Sequence, residues 1–339
     1  MSAIEPNGRA EAGAPELTVI VPVYNEEANL EALHARLTAS LRAFGKSYEL
    51  VFVDDGSTDG SYDRLRAMHA ADEAVRVVRF VRNFGQQMAV TAGFRHARGQ
   101  VIVLIDADLQ TSPEDIPLLV TKLREGYDIV YGLRQHRKDP LIRRAGSWFI
   151  SRLLYRITGI DMPDSSSGFI ALDRRLVDSI NLFNERSKYF SGLFAWLSYG
   201  RWASVPVEHA PRRAGESKYN LRSLVALTLN FVCSFSVQPL RFSAFVGAGL
   251  MLAALVALAG LGVWGALGEM HLTGLAVMLV AFMAFFTGLQ LCFLGILGEY
   301  LARVYGEVKG RPPFVVRDVL DHDGTRSDAG EAERDAATS

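Results

Sequence analysis

Two long stretches of this chain, residues 242–267 and 272–298, contain no Asp, Glu, Lys or Arg. A helix needs about 20 predominantly apolar residues to cross the hydrocarbon region of a bilayer, and both stretches exceed that length. We therefore predict two transmembrane helices joined by a tight connection at residues 268–271. The alternative is a pair of core helices buried within a soluble domain, which would have the same hydropathy.

The charges that flank these stretches predict how the chain is oriented in a membrane. Basic residues stand before the first stretch and after the second: Arg212, Arg213, Lys218, Arg222, Arg241, Arg303, Lys309, Arg311 and Arg317. The connection carries only Glu269 and His271 as charged or titratable residues. Because basic flanks stay in the cytoplasm, we expect a multi-pass protein of the inner (plasma) membrane with both termini and the catalytic domain cytoplasmic.

The remaining bulk features exclude several classes of protein. A formal net charge of −1 gives no global basic field, so nucleic acid is not an expected partner. Residues 1–16 are polar and lack the apolar region of a signal peptide, and they are predicted, like residues 321–339, to form a disordered tail. Cys233 and Cys292 have no Cys-x-x-Cys spacing or histidine partners, which favours packing roles over a disulfide or a zinc site.

The first two thirds of the chain alternate between short β-branched runs and helical patterns. The predicted strands are residues 17–24, 49–55, 75–81, 101–105 and 127–132. Apolar residues recur at a helical period after the first strand, at Leu30, Leu33, Leu37, Leu41 and Phe44. Near-continuous apolar strands separated by helices predict an α/β fold with a mostly parallel sheet covered on both faces. We assign this domain to residues 17–220.

Polar clusters follow the predicted strands at the points where the strands end. They are Tyr24-Asn25-Glu26, Asp54-Asp55-Gly56, Asp106-Ala107-Asp108 and Arg134. Ligands of open parallel sheets bind beyond the carboxyl ends of the strands, so these residues are expected to meet in one crevice.

Several chemistries for such a crevice lack their signatures. The run that starts at Asp55 resembles a calcium loop, but its twelfth position is Arg66, where a bidentate glutamate is needed. The glycine-rich phosphate loops of P-loop and Rossmann proteins are also missing from the sequence. Asp106, Asp108 and Gln110 instead offer hard oxygen ligands suited to Mg²⁺ or Mn²⁺, which could neutralise a diphosphate.

Four motifs in a fixed order then point to a family. "VIVPVYNEEANL", "VDDGSTDGS", "DADLQ" and "SSSGF" together resemble family 2 glycosyltransferases of the GT-A fold. The similarity continues through "RNFGQQMAVTAGF", "GESKYNLRSL", the two apolar stretches and "GEYLARVYGEVKGRPPFVV", which resemble polyprenyl-phosphate glycosyltransferases. These include dolichyl-phosphate mannose synthases, undecaprenyl-phosphate glucosyltransferases and undecaprenyl-phosphate formamido-arabinose transferases. The resemblance covers residues 17–317.

The resemblance implies an enzyme with a nucleotide-sugar donor, a polyprenyl-phosphate acceptor such as undecaprenyl phosphate, and Mg²⁺ or Mn²⁺ as cofactor. The residues implied to bind the nucleotide-sugar are Pro22, Tyr24, Glu26, Asp54 and Asp106. The implied metal ligands are Asp106, Asp108 and Gln110, and Asp108 also counts as catalytic. The transfer is expected to invert the anomeric centre and to serve cell-envelope glycan or lipid modification.

The lipid phosphate and the catalytic base are assigned by the same resemblance. Arg134, Arg143 and Ser147 match positions that hold the lipid phosphate, although solvated surface charge is the alternative for the two arginines. Asp164 matches the family's catalytic aspartate. Asp164 could act as the general base, or it could position the acceptor or the metal. Both roles stay open because a phosphate acceptor is already largely ionised and needs no strong base. Ile170 stands where the family commonly has arginine.

The domain plan follows from these assignments. Residues 221–241 have helix-like apolar spacing, which suits interfacial helices that lie amphipathically against the membrane before the first span. Residues 299–339 are assigned to a cytoplasmic C-terminal segment and tail. Whether the chain forms a homo-oligomer stays open.

Two other functions compete with the transferase. A processive polysaccharide synthase shares the catalytic core but carries a Q-x-x-R-W motif, and Ser198 stands where Arg201-Trp202 would need the glutamine. A non-catalytic membrane scaffold would retain the fold without needing Asp106, Asp108 and Gln110. The donor sugar is not determined by the sequence.

Overall fold

The strands of the described residues form a single sheet. The computed structural model describes residues 14–134, 168–183, 190–198, 200–208, 238–266 and 272–322. The strands are β1 (Leu17–Val23), β2 (Tyr48–Asp54), β3 (Val75–Phe80), β4 (Val101–Leu104), β5 (Ile129–Arg134), β6 (Ile170–Asp173), β7 (Trp202–Val207) and β8 (Val316–Leu320). Their order across the sheet is β7-β5-β6-β4-β1-β2-β3-β8.

Helices follow most of these strands in the chain. They are α1 (Glu27–Phe44), α2 (Ser61–Ala71), α3 (Gln86–His96), α4 (Ile116–Leu123), α5 (Arg174–Asn181), α6 (Phe190–Ser198), α7 (Gln238–Ala266) and α8 (Leu272–Val308). A short 3₁₀ turn, Pro113–Asp115, precedes α4. The sheet and α1–α6 belong to one compact unit of the chain, and α7 and α8 belong to a second.

Strand directions confirm the predicted mostly parallel sheet. The pairs β1–β2, β2–β3, β1–β4 and β5–β7 are parallel, whereas β6 and β8 run antiparallel to their neighbours. The carboxyl ends of β1 to β4 therefore share one edge of the sheet. Because β6 runs the opposite way, its first residue, Ile170, lies at that same edge.

The core lies on both faces of the sheet because side chains alternate along each strand. In β1, Val19 and Val21 belong to the cluster that contains the buried leucines of α1, and Ile20 belongs to the cluster that contains α3. The predicted apolar face of α1 is buried at Leu30, Leu33, Leu37 and Leu41. The helix ends at Gly45, whose φ of 71° places it in the left-handed conformation that favours glycine at this position.

The predicted transmembrane stretches fall on α7 and α8. Among the described residues, one stretch is long and apolar enough to cross a membrane by length and composition, Phe285–Val308, with 24 residues and a mean hydropathy of 1.4. Helix α7 contains the shorter apolar stretch Phe245–Ala254. A second span is thus not confirmed by this criterion. Helix α8 also continues beyond the predicted end of its span at residue 298, to Val308.

The segment after α8 returns to the sheet, which the sequence did not indicate. Strand β8 pairs antiparallel with β3, with Val77 opposite Leu320. Phe314 is buried just before this strand and stacks on Phe80, with 4.9 Å between ring centroids. Asp321, predicted to begin a disordered tail, instead forms ion pairs with Arg76 and Arg98. Residues 323–339 lie outside the described residues, as do residues 1–13.

Candidate functional site

The candidate site lies where the strand order changes direction. Strands β2 and β3 lie on one side of β1, and β4 lies on the other side. The connection from β1 and the connection to β4 therefore run in opposite directions across the sheet, which leaves a crevice between β1 and β4. The backbone N–H of Ile105 continues this pairing by donating to the Ile20 carbonyl at 3.1 Å. Open α/β sheets bind ligands at such a switch point, and the predicted polar clusters after β1, β2 and β4 lie at this edge.

The turn after β1 is tied to the turn after β2 by hydrogen bonds. The N–H of Asn25, whose φ is 57°, donates to Ser57 Oγ at 3.0 Å, and Asn25 Oδ1 accepts from the N–H of Thr58 at 2.8 Å. The N–H of Glu26 donates to Ser61 Oγ at 3.0 Å. These bonds leave Tyr24 46% exposed. Hydrogen bonds therefore hold the turn after β1, and the exposed Tyr24 directly follows that strand, at a position predicted to bind the nucleotide.

Asp54, predicted to contact the nucleotide, is completely buried. Its Oδ1 accepts from the N–H of Ser57 at 3.0 Å. Its Oδ2 lies 3.4 Å from Nε of Arg79, and the Arg79 guanidinium covers the ring of Tyr62 at 3.8 Å from the centroid. Because this buried carboxylate accepts the Ser57 hydrogen bond, Asp54 helps to hold the turn after β2. Its contact with a nucleotide stays a prediction.

Asp55, which the sequence placed in a polar cluster without a binding role of its own, holds the loop between β3 and α3. Its two carboxylate oxygens accept from the N–H groups of Phe84 and Gly85, at 2.6 Å and 2.8 Å. Desolvation by burial raises the pKa of Asp55, and the two N–H donors act against that rise. Gly56, with a φ of 66°, lies so close to the backbone of Arg82 that an added Cβ would overlap it. The two loops are thus packed backbone against backbone.

The two aspartates after β4 occupy a sharp turn. Asp106 Oδ1 accepts a hydrogen bond from Nε2 of Gln86 at 2.7 Å. Asp108 Oδ1 accepts from the N–H of Gln110 at 3.1 Å, and Leu109 between them has a φ of 58°. Asp106, Asp108 and Gln110 are all partly exposed. A divalent cation could therefore reach their side chains from the crevice.

Gly168 completes the surroundings of Asp106. A Cβ at this position would overlap Asp106 Oδ2, so the backbone before β6 approaches the carboxylate more closely than any other residue type would allow. Gly168 lies in the "SSSGF" motif, which contributed to the family resemblance and gave no indication of this contact.

The donor set fits a hard cation such as Mg²⁺ or Mn²⁺. Two carboxylates and a side-chain amide supply oxygen ligands, which these ions prefer over nitrogen or sulfur. Within the described part of the chain, no group of three or more His, Cys, Asp or Glu residues is arranged to hold a metal. Oxygens of a bound phosphate ligand could complete the coordination of an ion at Asp106 and Asp108, as they commonly do for Mg²⁺.

The other predicted site residues are placed only in part. Pro22 lies in β1 opposite Val53 and is partly exposed, and the partly buried Glu26 accepts a bond from Nδ2 of Asn29 at 2.6 Å. Arg134 is the last residue of β5. The predicted lipid-phosphate residues Arg143 and Ser147 and the predicted catalytic Asp164 lie outside the described residues, so their roles stay predictions.

Comparisons with known proteins agree over most of the chain. Residues 18–180 match the model for "Glycosyl transferase family 2". An uncharacterized glycosyltransferase of Synechocystis sp. is 37% identical over 90% of this chain and 95% of its own length. The undecaprenyl-phosphate 4-deoxy-4-formamido-L-arabinose transferases of Shewanella sediminis and Salmonella paratyphi A are 38% and 36% identical, over 91% and 90% of this chain and 94% of their own lengths.

A comparison with solved structures gives a more distant similarity. Glucosyl-3-phosphoglycerate synthase from Mycobacterium tuberculosis, in complex with Mn²⁺, uridine-diphosphate-glucose and phosphoglyceric acid, aligns with a TM-score of 0.49 and 23% identity. The alignment covers 67% of this chain and 80% of that chain.

Proposed function

Because this chain belongs to glycosyl transferase family 2, we propose that it transfers one sugar from a nucleotide-sugar to a polyprenyl phosphate, with undecaprenyl phosphate as the lipid. The observation that carries the proposal is the similarity to undecaprenyl-phosphate transferases over about nine tenths of the chain, which includes the segments after the catalytic domain. The chain is a glycosyltransferase with the α/β architecture expected for the GT-A fold.

The donor would bind in the crevice at the carboxyl edge of β1, β2 and β4. The exposed ring of Tyr24 offers a flat apolar face for a nucleotide base, with Pro22 and Glu26 beside it in the chain. Asp106, Asp108 and Gln110 would hold Mg²⁺ or Mn²⁺. The bound ion would neutralise the diphosphate and stabilise it as the leaving group.

The acceptor would be the phosphate of the polyprenyl lipid. Its oxygen attacks the anomeric carbon, the bond from that carbon to the diphosphate breaks, and the nucleoside diphosphate leaves with inversion. A phosphate monoester has a second pKa of about 6 and is largely ionised at neutral pH, so it is already a nucleophile. We assign Arg134, Arg143 and Ser147 to hold this phosphate and Asp164 to position it or act as base, because guanidinium groups bind phosphate bidentately.

The membrane segment would keep the acceptor within reach of the crevice. We propose that residues 242–267 and 272–298 cross the plasma membrane within α7 and α8, with the basic flanks and the catalytic domain on the cytoplasmic side. The apolar stretch Phe285–Val308 supports at least one such crossing. A polyprenyl tail would then remain in the bilayer while its phosphate group reaches the catalytic domain.

The test is turnover by the purified full chain in detergent. Undecaprenyl phosphate and Mn²⁺ or Mg²⁺ are supplied with a panel of nucleotide-sugars that includes a 4-deoxy-4-formamido-L-arabinose donor, and lipid-linked sugar is measured by mass spectrometry. We expect one donor to give product, and no product with Asp108→Ala. The matched control is Asp63→Ala, which removes an exposed carboxylate of α2 and should leave turnover unchanged.

Two results would contradict the proposal. Unchanged activity in Asp108→Ala would overturn the metal-assisted mechanism. Failure of every donor with the folded wild-type chain would favour a non-catalytic scaffold of the same fold.

A further inference from the structure

The hydrogen bond between Gln86 and Asp106 links two loops that are 20 residues apart in the chain. Gln86 is the first residue of α3, and its Nε2 lies 2.7 Å from Asp106 Oδ1. The backbone at Gly168 packs against the other oxygen, Oδ2. Contacts at both oxygens restrict rotation of this carboxylate, so its orientation is set by residues outside its own turn.

Gln86 is exposed to solvent, and an exposed hydrogen bond alone contributes little to holding a long side chain in place. The loop that carries Gln86 compensates for this weakness. The Asp55 carboxylate accepts hydrogen bonds from the N–H groups of Phe84 and Gly85, the two residues that precede Gln86. Phe84 also packs edge-on against Phe80, with ring centroids 5.7 Å apart.

The start of α3 is equally well defined. Gly85 has a φ of 97°, a left-handed value that other residue types adopt only with strain. Its carbonyl accepts from the N–H of Met88 at 2.9 Å, which begins the helix at Gln86. The backbone at Gln86 is thus held by the Asp55 hydrogen bonds on one side and by the first turn of α3 on the other. This backbone position places the side-chain amide of Gln86 against Asp106.

An amide is a suited donor for a carboxylate that must also bind a cation. It orients the carboxylate through a hydrogen bond without placing a positive charge beside it. Outer residues that orient metal-binding carboxylates typically change metal affinity by about 10–100-fold when they are mutated.

We propose that Gln86 is a positioning residue, held in place by Asp55, that orients the Asp106 carboxylate for the divalent cation and the donor diphosphate. This inference rests on the proposed function, since it concerns the cation of that same site. It assigns a role to the "RNFGQQ" loop, which the mechanism above does not use.

The test measures Mn²⁺ binding by electron paramagnetic resonance, with the full chain in detergent and with UDP or GDP present in separate titrations. Gln86→Ala should weaken Mn²⁺ binding by about 10–100-fold. Gln86→Asn retains the amide but is one methylene too short to reach Asp106, so it should behave like Gln86→Ala.

The matched control is Gln87→Ala. Gln87 is the next residue of α3, has the same side chain and is also exposed, and its carbonyl, which the substitution retains, accepts from Thr91 Oγ1 at 2.8 Å. It should bind Mn²⁺ like the wild type. The turnover of Gln86→Ala should recover as the Mn²⁺ concentration rises, whereas a variant with a damaged fold would not recover.

The outcomes separate this inference from the proposed function. If the wild type binds Mn²⁺ and Gln86→Ala binds it equally well, the positioning role is wrong and the proposed function stands. If the folded wild type binds no Mn²⁺ with either nucleotide, the proposed cation site itself fails, and the role of Gln86 fails with it.

Discussion

Arg76 and Asp321 are joined by two hydrogen bonds although 245 residues separate them in the chain. Nε and Nη2 of the arginine donate to Asp321 Oδ2 at 3.0 Å and 2.6 Å. Arg76 also donates to Glu49 Oε2 at 3.0 Å, and Arg98 bridges the same two carboxylates. This cluster lies at the amino ends of β2 and β3, opposite the candidate site, and fastens the end of β8 to the sheet.

Replacing Asp321 with alanine should destabilise the catalytic unit. Breaking a buried ion pair by removing one partner costs roughly 3–5 kcal/mol. Because Arg76 keeps its bonds to Glu49 and to the His96 carbonyl, we expect a loss of about 2–3 kcal/mol. Urea unfolding followed by tryptophan fluorescence measures it. Arg317→Ala, at an exposed ion pair of β8, should change stability by less than about 0.5 kcal/mol, and an equal effect of both would contradict the cluster's role.

His96 should make the same region sensitive to acid. Burial, followed by the nearby Arg76 charge, lowers the pKa of His96 from 6.5 to about 4. The unfolded chain therefore binds a proton between pH 6.5 and 4 that the folded chain does not, so stability falls as the pH falls through that window. Since the ring is partly exposed, the loss should be about 1–2 kcal/mol. Unfolding curves of His96→Gln should lose this part of the pH dependence, and identical curves for both proteins would contradict it.

The fold was predictable from sequence where strands and helices alternate over short stretches of the chain. Strands β1 to β5 and helix α1 overlap the predicted segments, since each strand there is followed by a turn or a helical pattern. Strand β8, with the sequence VRDVL, has two charged residues in five and finds its partner in β3, far away in the chain. Such a strand depends on tertiary pairing, which no local pattern reveals.

The candidate site was predictable in its residue types but not in its contacts. The sequence selected Asp54, Asp106 and Asp108 as chemically suited side chains. It did not indicate that Asp54 is fully buried, or that Asp55 and Gln86 connect the loops around Asp106. Those roles depend on how loops pack at the sheet edge, and spacing along the chain does not encode such packing.

Gly168→Ala should reduce turnover without unfolding the protein. The added Cβ would overlap Asp106 Oδ2, and the carboxylate, at the end of a side chain, can rotate away more readily than the backbone can move. We expect turnover to fall by at least about 10-fold, as for other disturbed metal-binding groups, and the thermal midpoint to remain near the wild-type value. Gly249→Ala in α7, where an added Cβ meets nothing within 4 Å, is the matched control. Wild-type turnover in Gly168→Ala would show that Asp106 tolerates reorientation.

Asp55 should affect Mn²⁺ binding through Gln86 and not by a separate route. In Asp55→Asn, an NH₂ group replaces one of the two oxygens that now accept hydrogen bonds from the N–H groups of Phe84 and Gly85. The loop between β3 and α3 should then lose this attachment, and Mn²⁺ binding should weaken by about 10–100-fold. If Asp55 acts through Gln86, both changes remove the same hydrogen bond to Asp106. The Asp55→Asn/Gln86→Ala double variant should then have about the same Mn²⁺ affinity as whichever single variant binds Mn²⁺ less tightly. The measurement is a double-mutant cycle on Mn²⁺ dissociation constants with UDP or GDP present. Losses that multiply in the double variant would mean that Asp55 acts on the ligand by a separate route.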